Sequence, residues 1–204
     1  MLRPTFFILF ALTASTSLTG CVADREADAQ MAPTAAADKI ADAMSAAPPV
    51  VAQHATIMDE PATPDGPPQL LRAGSNGWIC TPSSDDELAA GRPSPSCVDE
   101  QARLWFDARS ARQTPQLGAV GFSYKLMGDN GASNVDPYAN GPTPDNDWVV
   151  TGPHIIIFVP DVADIAHLPS DPESGGPYVM WQGTRYAHVM VPVAPSPTGA
   201  PRER

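Results

Sequence analysis

Ile155-Ile156-Ile157-Phe158-Val159 is the stretch of sequence that decides the fold. Four of its residues are β-branched and one is aromatic, and such a continuous apolar run is typical of a strand buried on both faces of a sheet. The chain is nearly all apolar from Trp148 onward, and Pro153 marks a bulge or the start of the strand. We therefore predict a central strand in which His154 shares a face with Ile156 and Phe158.

Shorter segments bounded by Gly, Pro, Asn and Asp have the composition of further strands. Residues 120–126 alternate large apolar side chains with small or polar ones, which indicates a half-buried strand. Residues 55–58 and 69–72 predict two short strands on either side of a proline-rich turn. Residues 178–193 predict a hairpin with Gln182-Gly183 as a two-residue turn.

One main helix is predicted from about Cys97 to Arg112. Ser96 as N-cap, followed three residues later by Asp99, approximates a capping box. Arg109 and Arg112 then lie near the negative end of the helix dipole. Strands around a single helix predict an α+β domain with a small antiparallel sheet of about five to six strands.

The first twenty residues have the features of an export signal. Arg3 supplies the positive charge, and the apolar run of residues 6–18 is too short to cross a bilayer, which takes about 20 residues. The ending Leu18-Thr19-Gly20-Cys21 resembles the lipobox of bacterial lipoprotein signals, in which the cysteine receives a diacylglyceryl group and becomes the mature N-terminus. The alternative is an ordinary signal peptide cut between residues 14 and 23, with an incidental cysteine.

The lipobox resemblance implies an envelope protein whose membrane contact is its lipid anchor. Two or three acyl chains, at about 0.8 kcal/mol per buried methylene, hold a small domain to a bilayer for long periods. Val22, rather than aspartate, follows Cys21, which is similar to the Gram-negative sorting pattern for the outer membrane. In a Gram-negative host we therefore expect the domain at the periplasmic face of that membrane.

The formal net charge of the chain is −11. Removal of residues 1–20 takes away only Arg3 and leaves 11 basic and 23 acidic side chains, a net charge of −12. A balance of this sign repels phosphate backbones and anionic headgroups. Nucleic acid is therefore excluded as a predicted partner.

Three cysteines fit an exported chain. Lipidation of Cys21 leaves Cys80 and Cys97, and such a pair closes a disulfide in an oxidising compartment. The closed loop of about 18 residues stabilises the fold by roughly 3 kcal/mol in the chain-entropy model. Two cysteines alone are too few for a zinc site.

Composition divides the chain into four parts. Residues 1–20 are the predicted signal, and residues 21–52 are an alanine- and proline-rich linker. Residues 53–194 hold all four tryptophans and all four tyrosines and form the predicted α+β domain. Residues 195–204 are predicted to be a disordered tail.

The candidate binding residues are His154, His188, Trp181 and Asp136. The two histidines lie on the two clearest strands and flank one site if they face the same side of the sheet, with Trp181 beside His188. As metal ligands they require a third group, such as the loop carboxylate of Asp136. The alternative is that each histidine is half-buried and hydrogen-bonded to backbone. We predict neither a bound metal nor a cofactor.

Other motifs do not indicate a reaction. Residues 128–147 are rich in oxygen ligands of the kind that calcium prefers, but their spacing is not that of an EF-hand, and we interpret them as a solvated loop. The sequence has no nucleophile elbow, phosphate loop, His-Glu-x-x-His motif or dinucleotide glycine fingerprint.

Five segments together resemble an uncharacterised family of exported bacterial proteins and lipoproteins. They are Gly74-Ser75-Asn76-Gly77-Trp78 with Cys80, Asn134–Pro137, Gly152-Pro153-His154, Gly175–Trp181 and Tyr186–Pro192. The resemblance covers about residues 55–193 and implies a coherent domain without an assigned activity. The proline-rich stretch of residues 61–68 departs from the pattern.

These observations predict a lipid-anchored envelope protein with a non-catalytic binding domain, whose ligand is a small molecule or another envelope protein. One alternative is a metal-assisted or acid–base hydrolase that uses His154 and His188. Another alternative is a purely structural envelope lipoprotein.

Overall fold

The computed structural model describes residues 35–61, 63 and 66–195. The predicted signal, the lipidation site at Cys21 and nearly all of the predicted tail lie outside the described residues. The helices are α1 (residues 35–45), α2 (Pro49–Ala52), α3 (Asp85–Ala89) and α4 (Glu100–Ser110). The strands are β1 (Thr56–Asp59), β2 (Gln69–Arg72), β3 (Ile79–Thr81), β4 (Ser96–Val98), β5 (Gly121–Lys125), β6 (Ala132–Ser133), β7 (Trp148–Val149), β8 (His154–Phe158), β9 (Tyr178–Met180) and β10 (His188–Pro192).

The fold is α+β with a mostly antiparallel sheet. Eight strands form the main sheet in the order β2-β1-β3-β4-β5-β8-β10-β9, and β6 pairs with β7 in a separate two-stranded sheet. Only β1 and β3 are parallel in the described part of the chain. The expected five to six strands were too few, because β4, β6 and β7 have only two or three residues each. Strands this short are below the length at which alternation shows in a sequence.

The predicted central strand is β8, which lies between β5 and β10. It begins at His154, directly after Pro153, while Trp148 and Val149 belong to the small sheet instead. His154, Ile156 and Phe158 are buried on one face, where Ile156 and Phe158 belong to the same cluster as Trp105 of α4. Ile157 packs against a cluster on the other face. The run of apolar residues therefore corresponds to burial on both faces, as predicted.

Helix α4 begins later than expected. Ser96, Cys97 and Val98 form β4, and Asp99 is the N-cap, since its side chain accepts a hydrogen bond from the Ala102 N–H at 2.8 Å. The other carboxylate oxygen of Asp99 accepts from the Phe122 N–H at 2.9 Å and so ties the helix start to β5. Cys97 therefore lies in a strand and not in the helix that was predicted to begin there.

The Cys80–Cys97 disulfide is present, as predicted. The two cysteines face each other directly in the β3–β4 pair, and both side chains are fully buried. They belong to a cluster that includes Ala43 and Ala46. The Ala43 carbonyl oxygen lies 3.7 Å from the Cys97 sulfur, and the Ala46 carbonyl oxygen accepts a hydrogen bond from the Leu126 N–H at 2.9 Å.

The second half of the expected linker packs on the sheet. Buried alanines of α1, α2 and their connection lie against Ile57 and the disulfide. Their small side chains let the helices approach closely, so an alanine-rich segment contributes to the core here. The folded unit thus includes residues 35–52, which the composition had predicted to be part of the linker.

The β9–β10 connection differs from a two-residue hairpin. His188 pairs with Met180, so Trp181 to Ala187 form a seven-residue loop. Trp181 adopts a positive φ of 57°, which is rare for a bulky residue and turns the chain at the end of β9. His188 consequently shares its face with Met180 and still lies beside Trp181, with 4.9 Å between ring centroids.

We expect the Cys80→Ala, Cys97→Ala double variant to unfold more easily, by roughly 3 kcal/mol, because the unfolded chain gains loop freedom. Urea unfolding of the native chain and the variant measures the difference. An unchanged free energy of unfolding would contradict a structural role for the bond.

Candidate functional site

Three arginines and two tyrosines meet at the C-terminal end of α4. Arg109 and Arg112 come from this end of the helix, Tyr138 from the loop between β6 and β7, and Arg185 and Tyr186 from the β9–β10 loop. We call these five residues the arginine–tyrosine patch. Arg112 and Arg185 are exposed, Arg109 and Tyr138 are half-buried, and Tyr186 is buried.

The two tyrosines form the centre of the patch. Their hydroxyl oxygens lie 2.8 Å apart in a hydrogen bond, and their rings meet edge to face with centroids 5.9 Å apart. The Tyr138 hydroxyl also lies 3.3 Å from the Arg109 carbonyl oxygen. Burial, followed by the hydrogen bond to Tyr186, raises the pKa of Tyr138. Tyr138 is therefore neutral, and the hydrogen bond fixes the two rings in position.

Guanidinium groups lie against these rings. The Cζ atom of Arg112 is 4.1 Å from the ring centroid of Tyr138, and that of Arg185 is 5.3 Å from the ring centroid of Tyr186. The Cζ atom of Arg109 is 5.7 Å from the Tyr138 ring. Contacts of this kind hold a cation by its attraction to the ring face.

The patch carries positive charge without carboxylate partners. None of its three guanidinium groups forms an ion pair within the described residues, whereas Arg103 on the same helix pairs with Asp107 at 2.6 Å. Arg109 donates to the Pro137 carbonyl oxygen instead, and burial lowers its pKa. Three unpaired cations therefore lie together on a chain of strongly negative charge.

Trp181 lies beneath the patch. Its ring is 4.9 Å from the Arg109 Cζ atom and stacks on Trp105 with 5.8 Å between centroids. Its indole N–H donates to the Ser133 carbonyl oxygen at 2.6 Å. Both Trp181 and Arg112 have a φ of 57°, and such backbone strain in non-glycine residues clusters at functional sites.

His188 belongs to the core below the patch. Its ring is 3% exposed, lies against Trp105 and Phe158, and is hydrogen-bonded through Nδ1 to the Tyr186 carbonyl oxygen at 2.9 Å. Burial lowers its pKa from 6.5 to about 4. The imidazole is therefore neutral at physiological pH and packs as an aromatic ring.

His154 lies on the same face of the sheet but at the other end of the β8–β10 pair, opposite Pro192. The four-residue offset separates the backbones of the two histidines by about 13 Å. His154 is fully buried, and its Nδ1 lies 2.7 Å from the Gly152 carbonyl oxygen. Its Nε2 has no hydrogen-bond partner among the described residues and lies 3.8 Å from Asp129 Oδ2. Burial lowers the pKa of His154, and the Asp129 carboxylate partly opposes this shift.

Asp136 borders the patch. It is exposed, and its Oδ1 accepts a hydrogen bond from the Tyr138 N–H at 2.9 Å, which helps to orient this tyrosine. The structure thus brings Trp181, His188 and Asp136 to the arginine–tyrosine patch and leaves His154 apart from it.

The oxygen-rich loop borders a separate surface pocket of about 420 Å³. The amide nitrogen of Asn134 donates there to Asp147 Oδ2 at 3.1 Å and to the Ser170 carbonyl oxygen at 3.0 Å. No group of three or more His, Cys, Asp or Glu side chains is arranged to hold a metal in the part of the chain that the structure describes.

Comparison of the chain with protein-family models, curated proteins and solved structures yields no match. The resemblance to exported bacterial proteins therefore stays a prediction.

Sequence reasoning identified Arg109 and Arg112 only as partners of the helix dipole and missed Tyr138, Arg185 and Tyr186. The sequence does contain a signal that Arg109 and Arg112 have no acidic partners on the helix. No acidic residue lies three or four positions from Arg109 or Arg112, although acidic residues outnumber basic ones by about two to one. The tyrosines carry no comparable signal, because only the fold brings them together.

The pKa of His188 predicts a pH dependence of stability. The unfolded chain binds the proton more tightly than the folded protein, so the free energy of unfolding falls as pH is lowered from about 6.5 to about 4. The total loss from this group is about 3 kcal/mol. We expect His188→Asn to flatten the pH dependence in this window, as measured by urea unfolding at several pH values.

The matched control is His54→Asn, which replaces an exposed histidine. A His188→Asn variant that keeps the pH dependence of the native protein would contradict the assignment of this titration to His188.

Proposed function

We propose that this protein is a lipid-anchored, non-catalytic binding domain of the bacterial cell envelope, and that the arginine–tyrosine patch is its binding surface. One observation carries the proposal. Three guanidinium groups are held on fixed aromatic rings, without carboxylate partners among the described residues, on a chain with a net charge of −11. Cations positioned in this way suit an anionic ligand, because the protein leaves their charge unneutralised.

The positions of the two histidines support binding over hydrolysis. A general base must come within hydrogen-bond distance of the proton that it removes. His188 and His154 are 3% and 0% exposed, and each uses Nδ1 in a contact with a backbone carbonyl oxygen. A substrate at the surface therefore has no access to either ring without movement of the core.

The hydrolase alternative is favoured by a single feature. In the part of the chain that the structure describes, Nε2 of His154 has no hydrogen-bond partner and lies 3.8 Å from the Asp129 carboxylate, an arrangement that resembles a histidine oriented by an acid. A purely structural role is disfavoured by the patch, since such a role gives no reason to hold three unpaired arginines together.

The tether is tested by Cys21→Ser. Because acylation requires the thiol, we expect the variant to move from the membrane fraction to the soluble fraction of fractionated cells, with the native chain as control. Continued membrane attachment of the variant would refute the lipid anchor.

The hydrolase alternative is tested by metal analysis of the purified protein. We expect no stoichiometric zinc, copper or iron. Bound metal that disappears in a His154→Ala, His188→Ala variant, while folding is retained by circular dichroism, would favour the hydrolase.

No helix in the described ranges is both long enough and apolar enough to cross a membrane.

A further inference from the structure

Resting on the proposed function, we propose that the arginine–tyrosine patch binds the phosphate group of a small, soluble phosphate monoester.

The exposed arginines have hydrogen-bond donors available to a ligand. A guanidinium group carries five N–H donors in its plane. The Cζ atoms of Arg112 and Arg185 lie 4.1 and 5.3 Å from the ring centroids of Tyr138 and Tyr186, and Arg185 also donates through Nη1 to the Thr114 hydroxyl oxygen at 3.5 Å. Both arginines are exposed, so their remaining N–H donors can reach a ligand.

The separation of the rings keeps these cations close together. The two tyrosine ring centroids are 5.9 Å apart, and the charges of both Arg112 and Arg185 act on the pKa of Tyr138. Arg109 contacts the same ring from the end of α4. The proposed oxyanion lies between these guanidinium groups and interacts with more than one of them.

The number of charges favours phosphate over carboxylate. A phosphate monoester carries a charge of about −1.5 to −2 at neutral pH and has three strong acceptor oxygens. A carboxylate carries one negative charge and two oxygens. Three clustered cations match the charge of the dianion more closely. Each arginine can also contact two of the phosphate oxygens at once.

The net charge of the protein favours a small ligand over a membrane surface. At physiological ionic strength, charges are screened beyond about 8 Å. A small phosphate ester at the patch therefore interacts mainly with the three arginines. An extended anionic bilayer would also meet the many surface carboxylates of a chain with a net charge of −11 and be repelled by them.

The test is calorimetric titration of the full chain carrying Cys21→Ser, which keeps the protein in solution. The probes are inorganic phosphate, para-nitrophenyl phosphate as a monoester, and acetate. We expect both phosphates to bind and acetate to bind at least about tenfold more weakly. Arg112→Gln with Arg185→Gln should weaken phosphate binding by about tenfold or more, since each charge-assisted contact is lost.

The matched control is Arg92→Gln with Arg103→Gln, which changes the net charge equally but lies outside the patch. We expect this variant to bind phosphate like the parent chain. Thermal unfolding of each variant confirms that it is folded. Absence of phosphate binding, or equal binding by the patch variant and the parent, would overturn the proposal.

Three further outcomes test separate parts of the proposal. Acetate that binds as tightly as phosphate would overturn the ligand class and leave a binding domain for carboxylates. Release of para-nitrophenol would overturn the non-catalytic function but leave the ligand class standing. Patch-dependent cosedimentation with phosphatidylcholine vesicles containing phosphatidylglycerol, at physiological salt, would overturn the choice of a soluble ligand.

Discussion

The contact of Trp105 with five other aromatic rings organises the half of the molecule that carries the site. From α4, this side chain meets Phe106, Phe158, Trp181, Tyr186 and His188, with centroid distances between 4.6 and 6.1 Å. It thereby locks the helix to β8, to β10 and to the loop before β10. This packing positions Arg109 and Arg112 at the end of α4, and Arg185 and Tyr186 in that loop. The geometry of the arginine–tyrosine patch therefore depends on it.

Gly121 sets how closely α4 approaches the sheet. A Cβ atom at this position would lie 2.6 Å from the Ala102 backbone nitrogen, so only glycine permits the observed separation of α4 from β5. Asp99 reinforces the same contact, because it caps the helix and binds β5 with its two carboxylate oxygens. Helix position is thus determined by backbone contacts as well as by the aromatic cluster.

The sequence predicted the features that depend on local composition. The central strand follows from an uninterrupted apolar run, and the disulfide was predicted from the cysteine count together with the predicted export. The predicted start of α4 was wrong by about three residues, because Ser96 and Asp99 are both good N-caps. Residues 96–98 pair with β3 and β5 and therefore form a strand. The predicted hairpin register was wrong because Trp181 adopts a positive φ, which the presence of a tryptophan in the sequence does not predict. The patch combines three segments distant in sequence, so no local pattern reveals it.

The burial of Cys80 and Cys97 under α1 has a consequence for the chemistry of their bond. Both sulfur-bearing side chains are inaccessible to solvent, and the Ala43 carbonyl lies against one of them. Thiol exchange requires direct attack on a sulfur atom by a thiolate. A thiolate therefore reaches this bond only when the packing around it, including α1, opens.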